Sequence, residues 1–152
     1  MVTPAGYSCL RKDRTNKRGD GAVLLCRCDL KIEEMPMEGN QYECLWAKVA
    51  TPNQDYVASA YHPPSYDYCE THFIGFLVNS CDSVLVSTPN AKLITAGDVN
   101  QLNLKCLMQQ SDLSQLVKSP TRKEKILDVI LTNTPNLFGK VCCKKSLVQT
   151  DH

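Results

Sequence analysis

A short apolar segment that ends in a glycine, a carboxylate and an amide constrains this chain most. Residues 92–100 read Lys-Leu-Ile-Thr-Ala-Gly-Asp-Val-Asn. The apolar run is typical of a buried strand, and Gly97 is expected to end it. If the backbone stays extended, Asp98 and Asn100 leave the strand on the same side, because side chains two positions apart share a face. This is a phosphate-and-metal type of arrangement, although a strand followed by an ordinary Asp-containing turn gives the same sequence.

The remaining apolar patterns predict an α/β fold. Strands are expected where short apolar or alternating runs are bounded by turn residues, at 22–26, 43–49, 56–61, 126–132 and 141–148. In the second of these strands Leu45, Ala47 and Val49 should point inward. The strand should pair with the third as a hairpin. The strand at 56–61 should stop at Pro63 and Pro64, because neither proline can donate to a ladder.

The longest predicted helix covers residues 66–87, where apolar side chains recur at helical spacing and Asp67 is a plausible N-cap. A strand follows it, and a helix followed by a strand indicates α/β layers. A short helix is predicted at 112–117, with Ser111 at its start. Residues 31–40 are expected to form a polar connection.

Composition limits the function only weakly. The chain has 152 residues, 43% of them hydrophobic, which fits one globular domain. The net charge of +1 gives no global argument for nucleic acid. A local basic cluster is either a solvated loop or a phosphate contact, and consists of Arg11, Lys12, Arg14, Lys17 and Arg18. The nine cysteines are odd in number and lack Cys-x-x-Cys spacing, which favours reduced thiols in an intracellular protein without a signal peptide or membrane span.

Three carboxylates need a chemical explanation. Asp128 lies within an apolar run, and burying it costs several kcal/mol unless it is paired. A histidine is the natural partner, because a carboxylate that holds one imidazole nitrogen leaves the other free to take a proton from water. On this interpretation Asp128 orients His152, Asp151 ligates or positions a cation, and Asp98 with Asn100 holds the water and the phosphate. The alternatives are an outward-facing Asp128 and a frayed terminus at 151–152.

Several blocks of the chain, in order, carry a resemblance to a known family. They are Pro4-Ala5-Gly6-Tyr7 with Arg11-Lys12-Asp13-Arg14, then Arg18-Gly19-Asp20-Gly21-Ala22-Val23, Glu43-Cys44-Leu45-Trp46-Ala47-Lys48-Val49, Tyr61-His62-Pro63-Pro64-Ser65, Gly97-Asp98-Val99-Asn100, Ser119-Pro120-Thr121-Arg122 with Ile126-Leu127-Asp128 and Leu131-Thr132-Asn133, and Asp151-His152. Together they resemble the endonuclease/exonuclease/phosphatase superfamily. In particular they resemble the apurinic-like endonuclease domain of non-LTR retrotransposons of the chicken-repeat and jockey type.

The resemblance implies a DNase I-like, four-layer α/β sandwich of two sheets and a Mg²⁺-dependent phosphodiesterase, with Mn²⁺ as an alternative ion. It implies that His152, oriented by Asp128, is a base or electrophile and that Asp98 positions or deprotonates the water. Asn100 and Tyr61 would contact the scissile phosphate, and Asp151 would lie near the metal. The implied partners are DNA and, in the parent element, a reverse transcriptase domain. A monomer in the nucleus or cytoplasm is expected.

The departures from the family pattern give a second hypothesis. The family begins with strands that carry an Asn and a metal-ligating Glu, and it ends in a closing strand. None of these is expected in residues 1–152, which would form an incomplete domain. Gly-Asp-Phe-Asn is replaced at Val99, Ser-Asp-His at Thr150, and an arginine of the family by His62. The chain is therefore either a nicking endonuclease or a catalytically inactive truncated remnant, at most a weak nucleic-acid-binding or interaction module.

Overall fold

The computed structural model describes residues 3–13, 21–52 and 54–144. The described residues form two α-helices, α1 (Glu70–Ser87) and α2 (Lys105–Gln110), and one 3₁₀ turn, Pro135–Leu137. The strands are β1 (Tyr7–Asp13), β2 (Gly21–Arg27), β3 (Ile32–Met35), β4 (Cys44–Val49), β5 (Asp55–Ala60), β6 (Lys92–Asp98), β7 (Ser114–Gln115) and β8 (Asp128–Thr132).

A six-stranded mixed sheet, in the order β3-β4-β5-β6-β8-β7, forms the centre of the molecule. β4 and β5 pair antiparallel, with Trp46 opposite Ala58, so the predicted hairpin is confirmed. β5 and β6 are parallel, and the chain between them contains α1, as parallel neighbours require. β8 runs antiparallel to β6 and also pairs with β7.

The helices cover one face of this sheet. α1 buries Phe73, Leu77 and Val84, whose spacing of four and seven residues puts them on one helix face. These side chains share a core cluster with Trp46 of β4 and Leu93 of β6, and Leu107 of α2 joins the same cluster. The predicted helix is thus confirmed, together with the strand that follows it.

The predicted N-terminus of this helix was wrong. α1 begins at Glu70 with Cys69 as its N-cap residue, and Asp67 caps no helix. The preceding turn is used for aromatic packing instead, since the rings of Tyr66 and Tyr68 both lie against the ring of His62.

The opposite face of the sheet is partly covered by a second sheet, the β1–β2 hairpin, which contacts β4 and β5. Leu45, Ala47 and Val49 are buried as expected, but Cys44 and Trp46 are buried too. Expecting a half-exposed strand was therefore wrong, because β4 is covered on both faces and a strand covered on both sides has no polar face.

Several connections differ from the sequence-based expectation. β1 and β3 are strands in segments predicted as charged or polar connections, and each is paired on one side with an apolar neighbour, β2 and β4. Residues 112–117 are not a helix, because Asp112 takes a φ of 49° and the backbone N–H of Leu116 donates to Ile130. Ser111 is the C-cap of α2. Residues 141–144 form no strand, and the rest of the strand predicted there lies outside the described residues.

The architecture of the described residues is thus a helix layer, a six-stranded sheet and a two-stranded sheet. This confirms the prediction of an incomplete two-sheet α/β sandwich. No helix within 3–13, 21–52 and 54–144 is long and apolar enough to cross a bilayer.

Candidate active site

The candidate site lies at the end of the main sheet where the central strands β5 and β6 end and β8 begins. β5 and β6 are parallel neighbours and end together, and β8 runs antiparallel to β6, so the first residue of β8 pairs with the last residue of β6. Tyr61 continues the ladder past β5 by donating its backbone N–H to the carbonyl of Glu43 over 2.8 Å. The backbone N–H of His62 donates to the carbonyl of Asp98 over 2.9 Å, which ties this end of β5 to the end of β6.

Asp98 of β6 and Asp128 of β8 are directly opposite each other in the antiparallel pair, at this end of the sheet. Directly opposed residues of an antiparallel pair have Cβ atoms about 4.5–5.5 Å apart, and like charges there are destabilising. Both side chains are half-buried. An arrangement of this kind suits the binding of a cation, a water molecule or a shared proton.

Asn100 follows two residues after Asp98, but the backbone does not stay extended as assumed. Asn100 has a φ of 49°, in the left-handed region that asparagine tolerates better than most residues. Its backbone N–H donates to Oδ1 of Asp98 over 3.0 Å, and its Nδ2 donates to the carbonyl of His62 over 2.6 Å. Asp98 and Asn100 are therefore connected by a hydrogen-bonded turn, and the strand alternation that was expected to place their side chains on one side does not apply.

Gly97 does not end the strand; β6 continues through it to Asp98. Its φ is +153°, and a Cβ built at this position would lie 1.8 Å from the carbonyl oxygen of Ala60. A side chain here would force β5 and β6 apart at the point where the site is assembled. The glycine is thus required by close backbone approach rather than by a turn.

Asp128 is the first residue of β8, so the apolar residues 126 and 127 before it lie outside the strand. Thr121 fixes this rim, because its Oγ1 accepts the backbone N–H groups of Leu127 and Asp128 over 3.0 and 3.1 Å. In the sequence Thr121 stood out only as part of a resemblance, and its positioning role was missed. The bonds span six and seven residues, which is longer than the local side-chain-to-backbone patterns that a sequence reveals.

The predicted partners of Asp128 cannot be placed beside it. Asp151 and His152 both lie outside the described residues. Orientation of His152 by Asp128, and the metal role of Asp151, therefore stay predictions.

His62 is buried, with a relative exposure of 2%, and is held on every side. Its Nδ1 lies 2.8 Å from the hydroxyl of Tyr68, and its Nε2 lies 3.6 Å from Oε1 of Glu70. The centroid of its ring lies 4.4 Å from the ring centroid of Tyr66 and 5.9 Å from that of Phe73, with which it stacks. Burial lowers the pKa of His62, while Glu70, Asp98 and Glu43 oppose that shift. In the sequence His62 was noted only as the replacement of an arginine of the family. Its backbone proves to hold both Asp98 and Asn100.

A basic cavity of about 560 Å³ adjoins the site. Residues 122–125 form a turn along the wall of this cavity, and reciprocal backbone hydrogen bonds between Arg122 and Lys125 close the turn. Its lining residues are Asn100, Gln101, Arg122, Lys123, Glu124, Lys125 and Leu127. Three cations against one carboxylate make this side of Asn100 suitable for an anion.

The described residues do not by themselves form a metal centre. No group of three or more histidine, cysteine or acidic side chains that could hold a metal ion occurs within 3–13, 21–52 and 54–144. Asp98 and Asp128 supply two carboxylates, fewer than such a group needs. The described part of the chain therefore contains no complete set of ligands for the predicted Mg²⁺ or Mn²⁺.

Comparison with known proteins places the fold. No known protein-family description matches the chain. No curated protein matches it either. The catalytic domain of human Nocturnin with bound sulfate superposes with a TM-score of 0.58 at 14% identity, over 84% of this chain and 61% of that one.

Two TDP2 structures also superpose on this chain, with slightly lower TM-scores. TDP2 of D. rerio, complexed with a single-strand DNA product, gives a TM-score of 0.51 at 13% identity over 84% of this chain and 62% of that one. Truncated TDP2 of Caenorhabditis elegans gives 0.54 at 8% identity over 83% and 61%. The chain thus spans about three fifths of the length of these structures. Since Nocturnin and TDP2 are DNase I-like members of the endonuclease/exonuclease/phosphatase superfamily, the chain has a DNase I-like fold, represented here by an incomplete α/β sandwich.

Proposed function

We propose that this chain is a phosphodiesterase that cuts nucleic acid, and specifically a DNA endonuclease of non-LTR retrotransposon origin. The proposal is carried by the convergence of Tyr61, Asp98, Asn100 and Asp128, from three separate parts of the sequence, at one edge of the sheet. The two carboxylates and the carboxamide supply hydrogen-bond acceptors and a donor, and the phenol of Tyr61, whose backbone lies at the same end of the sheet, is proposed to supply a further donor.

The roles follow from the chemistry of each group. The ionised carboxylate of Asp98 accepts hydrogen bonds but donates none, so it can position the attacking water or take a proton from it. The carboxamide of Asn100 and the hydroxyl of Tyr61 donate, so they can bind the oxygens of the scissile phosphate. Asp128 is proposed to orient His152, which acts as base or electrophile.

The basic cavity supports nucleic acid as the substrate. Arg122, Lys123 and Lys125 lie beside Asn100, where the phosphates that follow the scissile one would pass. The sulfate bound by Nocturnin and the DNA product bound by TDP2 are consistent with this choice.

A divalent cation, Mg²⁺ or Mn²⁺, belongs to the proposal because of the family resemblance. Asp151 is its proposed ligand. Because the described residues supply only Asp98 and Asp128, the roles given above are stated for the side chains alone, and the ion requirement is left to experiment.

The decisive experiment is plasmid nicking. Residues 1–152 with Mg²⁺ should convert supercoiled plasmid to open circle, and EDTA should abolish this conversion. Asp98→Asn should lower the rate by at least about a hundredfold, because it removes the group proposed to deprotonate the water. Asp128→Asn should lower it to a similar extent, because His152 then loses the carboxylate proposed to orient it. Asp82→Asn, at an exposed position on α1, is the matched control and should cut normally.

The second candidate function is that of an inactive remnant that binds nucleic acid without cutting it. It is favoured by the absence of a three-ligand metal group in the described part of the chain. Saturable DNA binding without Mg²⁺-dependent nicking, unchanged in Asp98→Asn, would establish this alternative. Nicking that depends on Asp98 would reject it.

The origin of the chain is also a proposal. Residues 1–152 are proposed to be an incomplete endonuclease/exonuclease/phosphatase domain of an element that also encodes a reverse transcriptase, acting in the nucleus or cytoplasm. A reading frame next to this one that encodes the missing strands and a reverse transcriptase would support it, and flanking sequence unrelated to either would count against it.

A further inference from the structure

A second cavity, of about 630 Å³, lies between α2 and the start of β8 and shares Asn100 with the basic cavity. Its apolar residues include Val99, Leu102, Leu104 and Val129, which are buried, and Met108 and Ile126, which are half-buried. This volume is in the range of small-molecule sites, and the apolar lining offers contact to the faces of a flat ring.

The polar groups of this cavity are almost all carboxamides. Among the described residues, Asn100, Asn103, Gln109 and Gln115 line it, and Lys105 is the one charged side chain of that lining. Oδ1 of Asn103 accepts the backbone N–H of Lys105 over 3.1 Å, and Nε2 of Gln115 donates to the carbonyl of Val117 over 3.1 Å. Each bond fixes a carboxamide through one atom and so sets the direction of its other polar atom.

Neutral side chains that both donate and accept match the edge of a nucleobase. Asn and Gln form paired hydrogen bonds with base edges, and proteins that read unstacked bases use such contacts together with apolar or aromatic packing. A lining without carboxylates also avoids repulsion of the phosphate attached to that base.

Asn100 connects the two cavities because it lines both. A nucleotide whose phosphate is held at Asn100 would place its base in one cavity and the next phosphates in the other. The basic cavity suits the phosphates, which leaves the carboxamide-lined cavity for the base.

We propose that the cavity between α2 and β8 binds the nucleobase of an unpaired nucleotide adjoining the scissile phosphate. This rests on the proposed phosphodiesterase function, which it deepens by naming the recognised group. A base can enter only if it is unstacked, so single-stranded or flipped nucleotides are the expected substrate class.

The test is direct binding of nucleoside 5′-monophosphates to the full chain in EDTA, where no cutting can occur. Isothermal titration gives the affinity, and NMR of the side-chain amides gives the location. The signals of Gln109 and Gln115 should shift with a nucleotide but not with inorganic phosphate. Gln109→Leu should weaken binding by about tenfold, because a base edge then loses its partner. Gln110→Leu, the next residue on α2 but outside this cavity, should bind normally.

Met108→Trp, which fills the cavity, is the second variant and should abolish nucleotide binding. Equal affinity in Gln109→Leu, Gln115→Leu and Met108→Trp would overturn the proposal, as would amide shifts that inorganic phosphate reproduces or the absence of any saturable shift. Parallel nicking assays separate the two proposals. Nucleotide binding without nicking rejects only the nuclease, and nicking without base-dependent binding rejects only the base site.

Discussion

At the scale of single residues, the site depends on backbone contacts that few substitutions can keep. Gly97 allows the carbonyl of Ala60 to approach β6, and the carbonyl of His62 holds the side chain of Asn100. Ala60 and His62 each contribute a backbone carbonyl to these contacts rather than a side chain. A substitution therefore acts on the site by changing the space available or the backbone conformation.

Gly97→Ala should destabilise the fold by roughly 2–3 kcal/mol, because the new Cβ would overlap the backbone of Ala60 and must push β5 and β6 apart. Gly75→Ala is the matched control, since a Cβ there meets no atom within 4 Å. It should stabilise α1 by about 0.5–1 kcal/mol. Urea unfolding measures both changes, and equal midpoints for the two variants would contradict the close approach.

The stability of the protein should fall on acidification because of His62. Burial lowers the pKa of His62 below its ordinary value of 6.5. The unfolded chain therefore takes up a proton before the folded one does. The stabilising contribution is complete above pH 6.5 and is lost as the pH falls from there through the lowered folded-state pKa.

NMR titration should give a midpoint for His62 below 6.5. Urea unfolding at several pH values should show a weaker dependence in His62→Gln than in the original chain. The exposed His72, changed to Gln, should leave the dependence as it was. A midpoint for His62 at or above 6.5 would refute the predicted sign.

At the scale of elements, the turn between Thr121 and β8 combines two tasks. Its backbone and Thr121 fix the start of β8, and its exposed tip carries cations toward the cavity beside Asn100. Lys123 at the tip has a φ of 52° and contributes no buried packing. Charge and fold can therefore be changed independently at this position.

Lys123→Gln should weaken DNA binding about equally for all sequences and lower the salt dependence by about one released counterion, because a phosphate contact is lost. Lys31→Gln, an exposed lysine outside the basic cavity, is the control. Fluorescence anisotropy across a range of salt concentrations measures both. An unchanged salt slope in Lys123→Gln would show that the turn does not meet the phosphate backbone.

At the scale of the whole molecule, the edges of the main sheet are protected against pairing with another chain. The edge strand β3 presents the exposed Glu33 and Glu34, and the opposite edge strand β7 has only two residues. Short and charged edge strands are the usual means of preventing edge-to-edge association.

The chain should therefore be a monomer. Light scattering combined with size exclusion should give a mass of 17.0 kDa that does not change with concentration. Removing the edge charges with Glu33→Val and Glu34→Val should promote association, whereas Glu38→Val, outside β3, should not. Twice the monomer mass for the original chain would contradict the prediction.

The sequence predicted local elements well where one physical signal dominated. The helix α1 and the pairing of β4 with β5 as a hairpin are confirmed, because the helical spacing and the turn residues between the two strands are visible in the chain. The sequence failed where tertiary pairing overrode local composition. Residues 114–115 became a strand because β8 supplies their partners, and β1 formed from a charged segment because β2 lies beside it.

By itself, the sequence determined the α/β class and the residue types that a phosphate-handling site needs, since periodicity and chemistry are local properties. Only the tertiary structure decided that Asp98 faces Asp128, that Asn100 is held by a turn rather than by an extended strand, and that His62 and Thr121 support the site. The contacts of Asp98 with Asp128 and of Asn100 with His62 join residues that are far apart in the chain. Their geometry depends on strand register and on the close approach at Gly97, and neither leaves a periodic signal in the sequence.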